Sequence, residues 1–304
     1  MTQLRRRHLT LLEAAHRVQA QPLPDNEARA YAARQLVQAT LTHRSPKGSP
    51  PEWFRTNGNY TLAIRPGYKT DAATGERCCV GYPFGSIPRL LLFWMTTEAV
   101  VTRRRRLELG DTLAAFMREL GLDPSRGGKR SDAHRLREQM ERLLRASISF
   151  EYSRKEPSHI QDDWVNMQVT AKGHLWWNLH NSDQLNLFES YIELSHEFYE
   201  AITAHPVPAD FRALRALKQS PLALDLYAWI AYRAHRVNQH ERGVFVTWRQ
   251  LQEQVGADFA DTKNFKAKIK PALAKVLALY PQLRVRIVDG GIELKPGPNL
   301  IPQR

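Results

Sequence analysis

One order of segments is written twice in this chain, and it restricts the available folds more than any bulk property does. The first writing opens at Ser86-Ile87-Pro88 and runs through an apolar stretch from Leu90 to Met95. A strand-like Arg106-Leu107-Glu108-Leu109 follows, then a short helix ending near Gly121, a basic helix at about 131–146 and a β-like Ile148-Ser149-Phe150-Glu151-Tyr152. The second opens at Ser220-Pro221 and runs from Leu222 to Ile230. It continues through Val244-Phe245-Val246, a short helix ending near Gly256, a basic helix at about 262–279 and a β pair between Leu283 and Leu294. Ser86 and Ser220 each stand where a hydroxyl can accept from an orphan amide at a helix start. The prolines after them suit a first turn, where no N–H is missed.

Helix, strand, helix, basic helix and β-hairpin is the order of a winged helix, a helix-turn-helix variant whose basic helix enters a DNA groove. The expected fold class is α+β: two tandem winged-helix domains, an intervening β-rich extension and a helical N-terminal arm. Residues 1–50 read as arm and linker, 51–204 as the first domain with its extension, and 205–304 as the second domain. In the arm, Leu9, Leu12, Ala15 and Val18 mark one helix, and Tyr31, Leu36, Val37 and Leu41 a second. Ser45-Pro46-Lys47-Gly48-Ser49-Pro50-Pro51 then forbids regular structure, and the arm before it is expected to be mobile. Tyr60 to Arg65 alternates as a strand, as do Trp164 to Val169 and Asn186 to Leu194. Trp164, Trp176 and Trp177 in that tract read as packing residues, and Asp162-Asp163 as a solvated loop end.

Charge speaks to partners. Forty-four Lys and Arg against 31 Asp and Glu leave a formal net charge of +13, which favours a polyanion. A membrane is not expected, because the Leu90–Met95 run gives way to Thr96-Thr97-Glu98 and then Arg103-Arg104-Arg105-Arg106, far short of the roughly 20 apolar residues of a span. The Arg-rich start lacks the apolar core of a secretory signal. Cys78 and Cys79 are adjacent, which suits neither a disulfide nor a zinc site, so both read as reduced thiols in the cytoplasm.

The two basic helices are the candidate DNA readers. In the second, Phe265, Ile269, Leu273, Val276, Leu277 and Tyr280 make one apolar stripe for the core, and no acidic residue lies between Asp261 and Pro281. Lys263, Asn264, Lys266, Lys268 and Lys270 form its front, with Lys263, Asn264 and Lys266 directed at base edges and the other two at phosphates. Pro271 is expected to kink this helix. In the first, Leu136, Met140, Leu143 and Leu144 make the stripe. Lys129, Arg130, Arg135 and Arg137 supply cations that Glu138 and Glu141 dilute. Arg284 and Arg286 precede a hairpin turn at Asp289-Gly290-Gly291, and Arg154 and Lys155 mark the corresponding edge of the first copy. Arg103 and Arg104 are further phosphate contacts. Gly127-Gly128-Lys129-Arg130 is not a phosphate loop, since the upstream Gly is missing and Arg stands where Ser or Thr would bind magnesium.

No residue set here reads as catalytic or metal-binding. The eleven histidines include no pair flanking one apolar residue, as a metal-dependent nicking enzyme would need, and no nucleotide-binding loop is present. The chain is therefore expected to be no enzyme and to need no cofactor.

The chain resembles the RepA-type replication initiators of broad-host-range plasmids, similar in plan to other iteron-binding initiators. The resemblance rests on Tyr82-Pro83-Phe84-Gly85-Ser86-Ile87-Pro88-Arg89 through residue 99, on Glu108-Leu109-Gly110-Asp111 and on 116–122. It continues at His205-Pro206-Val207-Pro208, at 214–229 and at Tyr280-Pro281, and spans about residues 60–295. It implies a non-enzymatic protein that binds direct repeats in double-stranded origin DNA, helps open an adjacent AT-rich segment, and recruits the host's replication initiator and replicative helicase. It also implies a monomer–dimer equilibrium, with dimers repressing their own gene and monomers initiating. Two alternatives stand beside it: a winged-helix transcriptional repressor without a replication role, and a basic protein-interaction module.

Overall fold

The computed structural model describes residues 3–20, 29–71, 73–175, 190–256, 259–298 and 301. It begins with helix α1 (Gln3–Ala20), strand β1 (Arg29–Ala33), short helix α2 (Arg34–Gln38), strands β2 (Trp53–Asn57) and β3 (Tyr60–Arg65), and a hairpin of β4 (Gly67–Thr70) with β5 (Arg77–Gly81). The first copy follows as α3 (Ser86–Thr102), β6 (Arg106–Glu108), α4 (Leu113–Glu119), α5 (Asp132–Leu144), β7 (Ser147–Lys155), β8 (Ile160–Gln168), β9 (Thr170–His174) and β10 (Tyr191–Leu194). Helix α6 (His196–Thr203), strand β11 (Pro206–Asp210) and helix α7 (Phe211–Leu217) lead to the second copy. That copy is α8 (Pro221–Gln239), β12 (Val244–Thr247), α9 (Trp248–Val255), α10 (Thr262–Leu279), β13 (Val285–Val288) and β14 (Gly291–Leu294).

Both copies close on a three-stranded antiparallel sheet of one plan. Its order is β12-β14-β13 in the second copy and β6-β10-β9 in the first, so the last strand lies in the middle each time. This corrects the expectation that the hairpin at Ile148 completes the first copy. β7 and β8 are instead an insertion, paired with β3 and β2 in a separate sheet of order β2-β3-β7-β8. The cause is apolar matching across strands: Ile148 lies opposite Ile64 and Phe150 opposite Leu62, and all four are buried. Arg154 and Lys155 therefore sit far from the equivalent of Arg284 and Arg286, with Arg154 held by Glu156 at 2.6 Å. Asp162 and Asp163 lie within β8 rather than in a loop. Trp164, expected to pack, is 69% exposed, while Trp176 and Trp177 lie outside the described residues.

The first helices of the two copies form the centre. α3 is buried along almost its whole length, and its Trp94 meets Phe116 of α4 edge-on at 5.0 Å, with its Nε1 donating to Glu119 at 2.9 Å. Ser220 caps α8 as expected, accepting from the Ala223 amide at 3.2 Å. Ser86 does not cap α3. It lies buried inside the first turn, and the cap position is Gly85 at φ 82°, a left-handed conformation that glycine adopts without a Cβ clash. α3 and α8 are joined by charge: Arg89 donates to Asp225 through Nε at 2.6 Å and Nη2 at 2.8 Å, with both residues buried. Arg89 also donates to the carbonyls of Leu41 (2.7 Å), Thr42 (3.2 Å) and Gly85 (2.7 Å), and His43 Nε2 lies 2.9 Å from Asp225 Oδ2. A second tie runs from buried Arg55 on β2 to the Gln254 carbonyl of α9 at 2.8 Å.

Residues 29–42 match the expected second arm helix only in part: Leu36 and Val37 lie in α2, but the helix stops at Gln38. Tyr31 lies in β1, which pairs with β11, and Ala30, Ala32, Val37, Ala39 and Leu41 are all buried. β11 accommodates Pro206 and Pro208 because alternate positions put both missing N–H groups on one side, leaving the other side's amides for pairing. α1 packs on α10 and α7, burying Ala15 and Val18, and Gln19 donates to the Ala278 carbonyl at 2.9 Å. Deletion of residues 1–28 should accordingly leave a cooperative thermal transition. Deletion of 1–50 should abolish it, because Arg89 loses the Leu41 and Thr42 carbonyls. Circular dichroism melts distinguish the two, and a cooperative melt in the longer deletion would show that β1 is dispensable.

Candidate nucleic-acid interface

In the second copy, α9 starts at Thr247, whose hydroxyl accepts from the Gln250 amide at 3.2 Å while the Gln250 side chain accepts from the Thr247 amide at 3.0 Å. This reciprocal capping box fixes Trp248, whose own amide donates to Gly290 in the wing turn at 3.1 Å. Gly290, at φ 78°, makes the two-residue turn with Asp289. Lys266 lies with its Nζ 5.9 Å from the centre of the Trp248 ring. Wing turn, α9 start and α10 thus form one corner of the second copy.

α10 carries its apolar stripe inward as expected: Phe265, Ile269, Leu273, Val276 and Tyr280 are buried and Leu277 is half-buried. It runs unbroken through Pro271, where a kink was expected. Pro271 and Ala267 both face solvent, so water can serve the carbonyl that the proline ring leaves without an N–H. Lys263, Lys268 and Lys270 are exposed and Lys266 half-buried, and among the described residues none is paired with a carboxylate. Lys263, Lys266 and Lys270, spaced three and four apart, line up on one face. The first two occupy the helix's opening turns, where the backbone dipole weakly disfavours cations and the Asp261 cap supplies the compensating carboxylate. Asn264 is already engaged: its Nδ2 donates to Asp261 at 2.7 Å, and Asp261 also accepts the Asn264 amide at 2.7 Å. A base contact by Asn264 requires that cap to open. On the wing, Arg286 is exposed opposite Glu293, and Arg284 donates to the Pro296 carbonyl at 3.2 Å.

In the first copy, Ser131 caps α5 by accepting from the His134 amide at 3.2 Å. The carboxylates that dilute its face are locally engaged: Glu138 by Arg142, and Glu141 by Lys69 at 2.9 Å and Arg145 at 3.6 Å. Arg135 pairs with Asp132 at 3.2 Å, while Lys129 and Arg130 are exposed ahead of the cap. Arg137 lines a cleft of about 900 Å³ between α5, the β4–β5 hairpin and β9, together with Lys69, Arg145, Lys172 and His174. Lys69 and Lys172 escaped sequence reading. Lys172 holds the wing position once β9 replaces β7, and only the pairing of β10 with β6 reveals it. Arg103 takes the left-handed C-cap of α3 and Arg104 follows, both exposed. Arg105 pairs with Glu193 at 3.4 Å, and Arg106 stacks 3.7 Å over Tyr191 on the wing sheet.

Among the described residues no helix is long and apolar enough to cross a membrane. A sequence profile of the family described as plasmid-encoded RepA protein matches residues 82–250, more than half of the chain. Two crystal structures of domains 2 and 3 of RctB share the fold. One has 12% identity and a TM-score of 0.51, with 84% of this chain and 94% of that one covered. The other has 11% identity and a TM-score of 0.51, with 88% and 98% covered. No curated protein matches the sequence.

Proposed function

The chain belongs to the plasmid-encoded RepA protein family, and from that premise we propose that it is a non-enzymatic plasmid replication initiator. In this reading it binds direct repeats in duplex origin DNA through two winged-helix units, promotes opening of the adjacent DNA, and brings in the host initiator and helicase. The observation that carries it is the unpaired cationic front of α10 beside the wing turn, on a helix whose other side is wholly used by the core. Lys263 and Lys266 approach base edges in the major groove. Lys268, Lys270, Arg284 and Arg286 meet phosphates, as do Lys129, Arg130, Arg135, Arg137, Arg103 and Arg104 from the first unit in a neighbouring groove.

Nuclease footprinting of the DNA flanking the protein's own gene tests this directly. Regularly spaced protected repeats about two helical turns apart are expected. Affinity should fall with salt by roughly 0.9 log unit per log unit of salt for each neutralised phosphate. A flat salt profile, or no protected repeat, would overturn the reading.

A further inference from the structure

Two surfaces lie outside the DNA reading, and their chemistries are complementary. The first is a groove of about 450 Å³ between the C-terminal end of α8 and the start of β12. Its walls include Val237, Val244, His240 and the half-exposed Phe245, and its cations are Arg233, Arg236 and Arg242. Aromatic rings hold two of the guanidiniums in place: Arg233 lies 5.6 Å over Trp229, and Arg236 5.8 Å over Tyr232 with a 3.3 Å bond to its hydroxyl. Arg233 also donates to Gln254 Oε1 at 3.2 Å. Among the described residues no carboxylate pairs with Arg233, Arg236 or Arg242. Burial pushes the Arg233 guanidinium below its ordinary pKa, against a raising effect of Tyr232 and with a smaller lowering effect of the Arg236 charge. A cationic cluster held together at this cost is suited to an anion.

It lies at the opposite end of β12 from the Trp248–Lys266 corner, at the sheet end that also carries Arg284. Val244 pairs with Leu294 at one end of β12, whereas Thr247 pairs with Gly291, beside Trp248 and Lys266, at the other. Three residues of strand put roughly 10 Å between the ends. A phosphate backbone also offers nothing to cover the groove's apolar walls.

The second surface is β8, an edge strand at the end of its sheet. Ile160, Asp162 and Trp164 alternate onto one face, with Glu151 of β7 directly opposite Trp164. Ile160 is 65% and Trp164 69% exposed, and Asp162, Asp163 and Glu151 face solvent. The hairpin carries Glu151, Glu156, Asp162 and Asp163 against Arg154, which Glu156 holds, and Lys155, which lies opposite Ile160, so its aromatic edge is net acidic on a chain of net charge +13.

We propose that the β7–β8 hairpin of one copy docks into the Arg233–Arg236–Arg242 groove of the next copy. Asp162 and Glu151 would meet the guanidiniums, and Ile160 and Trp164 would cover the apolar walls. The contact is head-to-tail, using different patches on the two copies, and so repeats along an array instead of closing as a two-fold dimer. That geometry suits copies aligned in one direction on direct repeats, and in this respect the inference rests on the proposed function.

Two full-length variants test it: Asp162→Lys with Asp163→Lys, and Arg236→Glu with Arg242→Glu. Each is assayed on DNA carrying one protected repeat, on DNA carrying two adjacent repeats, and by sedimentation of the protein without DNA. Both variants should bind one repeat within about twofold of the original, a small change on the affinity scale. On two repeats, a cooperativity in the range of about 5–150-fold should vanish for each variant and return when the two are mixed, because mixing restores one complementary contact. Sedimentation should show the same loss and rescue, and it does so even if no repeat is bound, which separates failure of the docking from failure of the DNA reading. Cooperativity and sedimentation unchanged in both variants would overturn the proposal. A fall in one-repeat affinity for the arginine variant as large as its fall on two repeats would overturn it equally, assigning the groove to DNA phosphate.

Discussion

Lys266→Glu combined with Lys270→Glu should weaken repeat binding by about 100-fold or more at moderate salt. Two charge-assisted contacts at about 1.5 kcal/mol each come to about 3 kcal/mol, and each new carboxylate adds repulsion. The salt dependence should also become shallower by about 1.8 in log–log slope, two phosphates at roughly 0.9 each. The fold should survive. Lys270 is exposed without a carboxylate partner, and Lys266 contributes only its contact over Trp248, worth about 0.5–1 kcal/mol. Fluorescence anisotropy against salt, with a thermal melt as control, reads both quantities. Unchanged affinity in a folded variant would mean that α10 is not the reading helix. The corresponding reversal at Arg135, paired with Asp132 at 3.2 Å, should cost less, because that guanidinium is already partly neutralised.

α10 was readable because one element carries both halves of its message, an apolar stripe at helical spacing and a cationic front with no acid among it. α3 was readable for a simpler reason, an apolar run too long to face water. The first copy's wing was not, since pairing of β6 with β10 spans more than 80 residues and an inserted hairpin with its own alternation intervenes. The strand β1 was hidden by ambiguity: Tyr31 continues the helical period of Leu36 and Val37, which do lie in α2, and only the distant β11 draws residues 29–33 into a strand. Asn264 looked free because side-chain capping by Asp261 leaves no trace in periodicity. Arg89 and Asp225 sat in view inside the resembling blocks, but their partnership spans 136 positions, and each reads locally as an isolated charge among apolar residues.

That pair carries the largest expected stability effect. Asp225→Asn keeps the shape but removes the charge that Arg89 faces in the buried centre, and breaking a buried pair at one partner costs about 3–5 kcal/mol. The melting temperature should drop by about 10 °C, and by less at acid pH, where the original chain weakens as well. Burial would raise the Asp225 carboxyl, but Arg89 and the bonds from His43 and Arg89 outweigh it and hold the carboxyl down to about 2. Its contribution is therefore full above the unfolded value near 4 and lost as pH falls toward 2. His43 acts earlier. Burial lowers its pKa against the raising bond to Asp225, so the unfolded chain takes up that proton first, and stability declines as pH drops below about 6.5. His43→Gln should flatten the first decline and leave the second, whereas Asp225→Asn should remove the second. A loss below about 1 kcal/mol in Asp225→Asn would show that apolar packing of α3 on α8, rather than their charges, joins the two copies. A loss in the expected range makes Arg89 and Asp225 the hinge pin about which both cationic helices are set, so weakened repeat binding in a variant still folded at low temperature should accompany it.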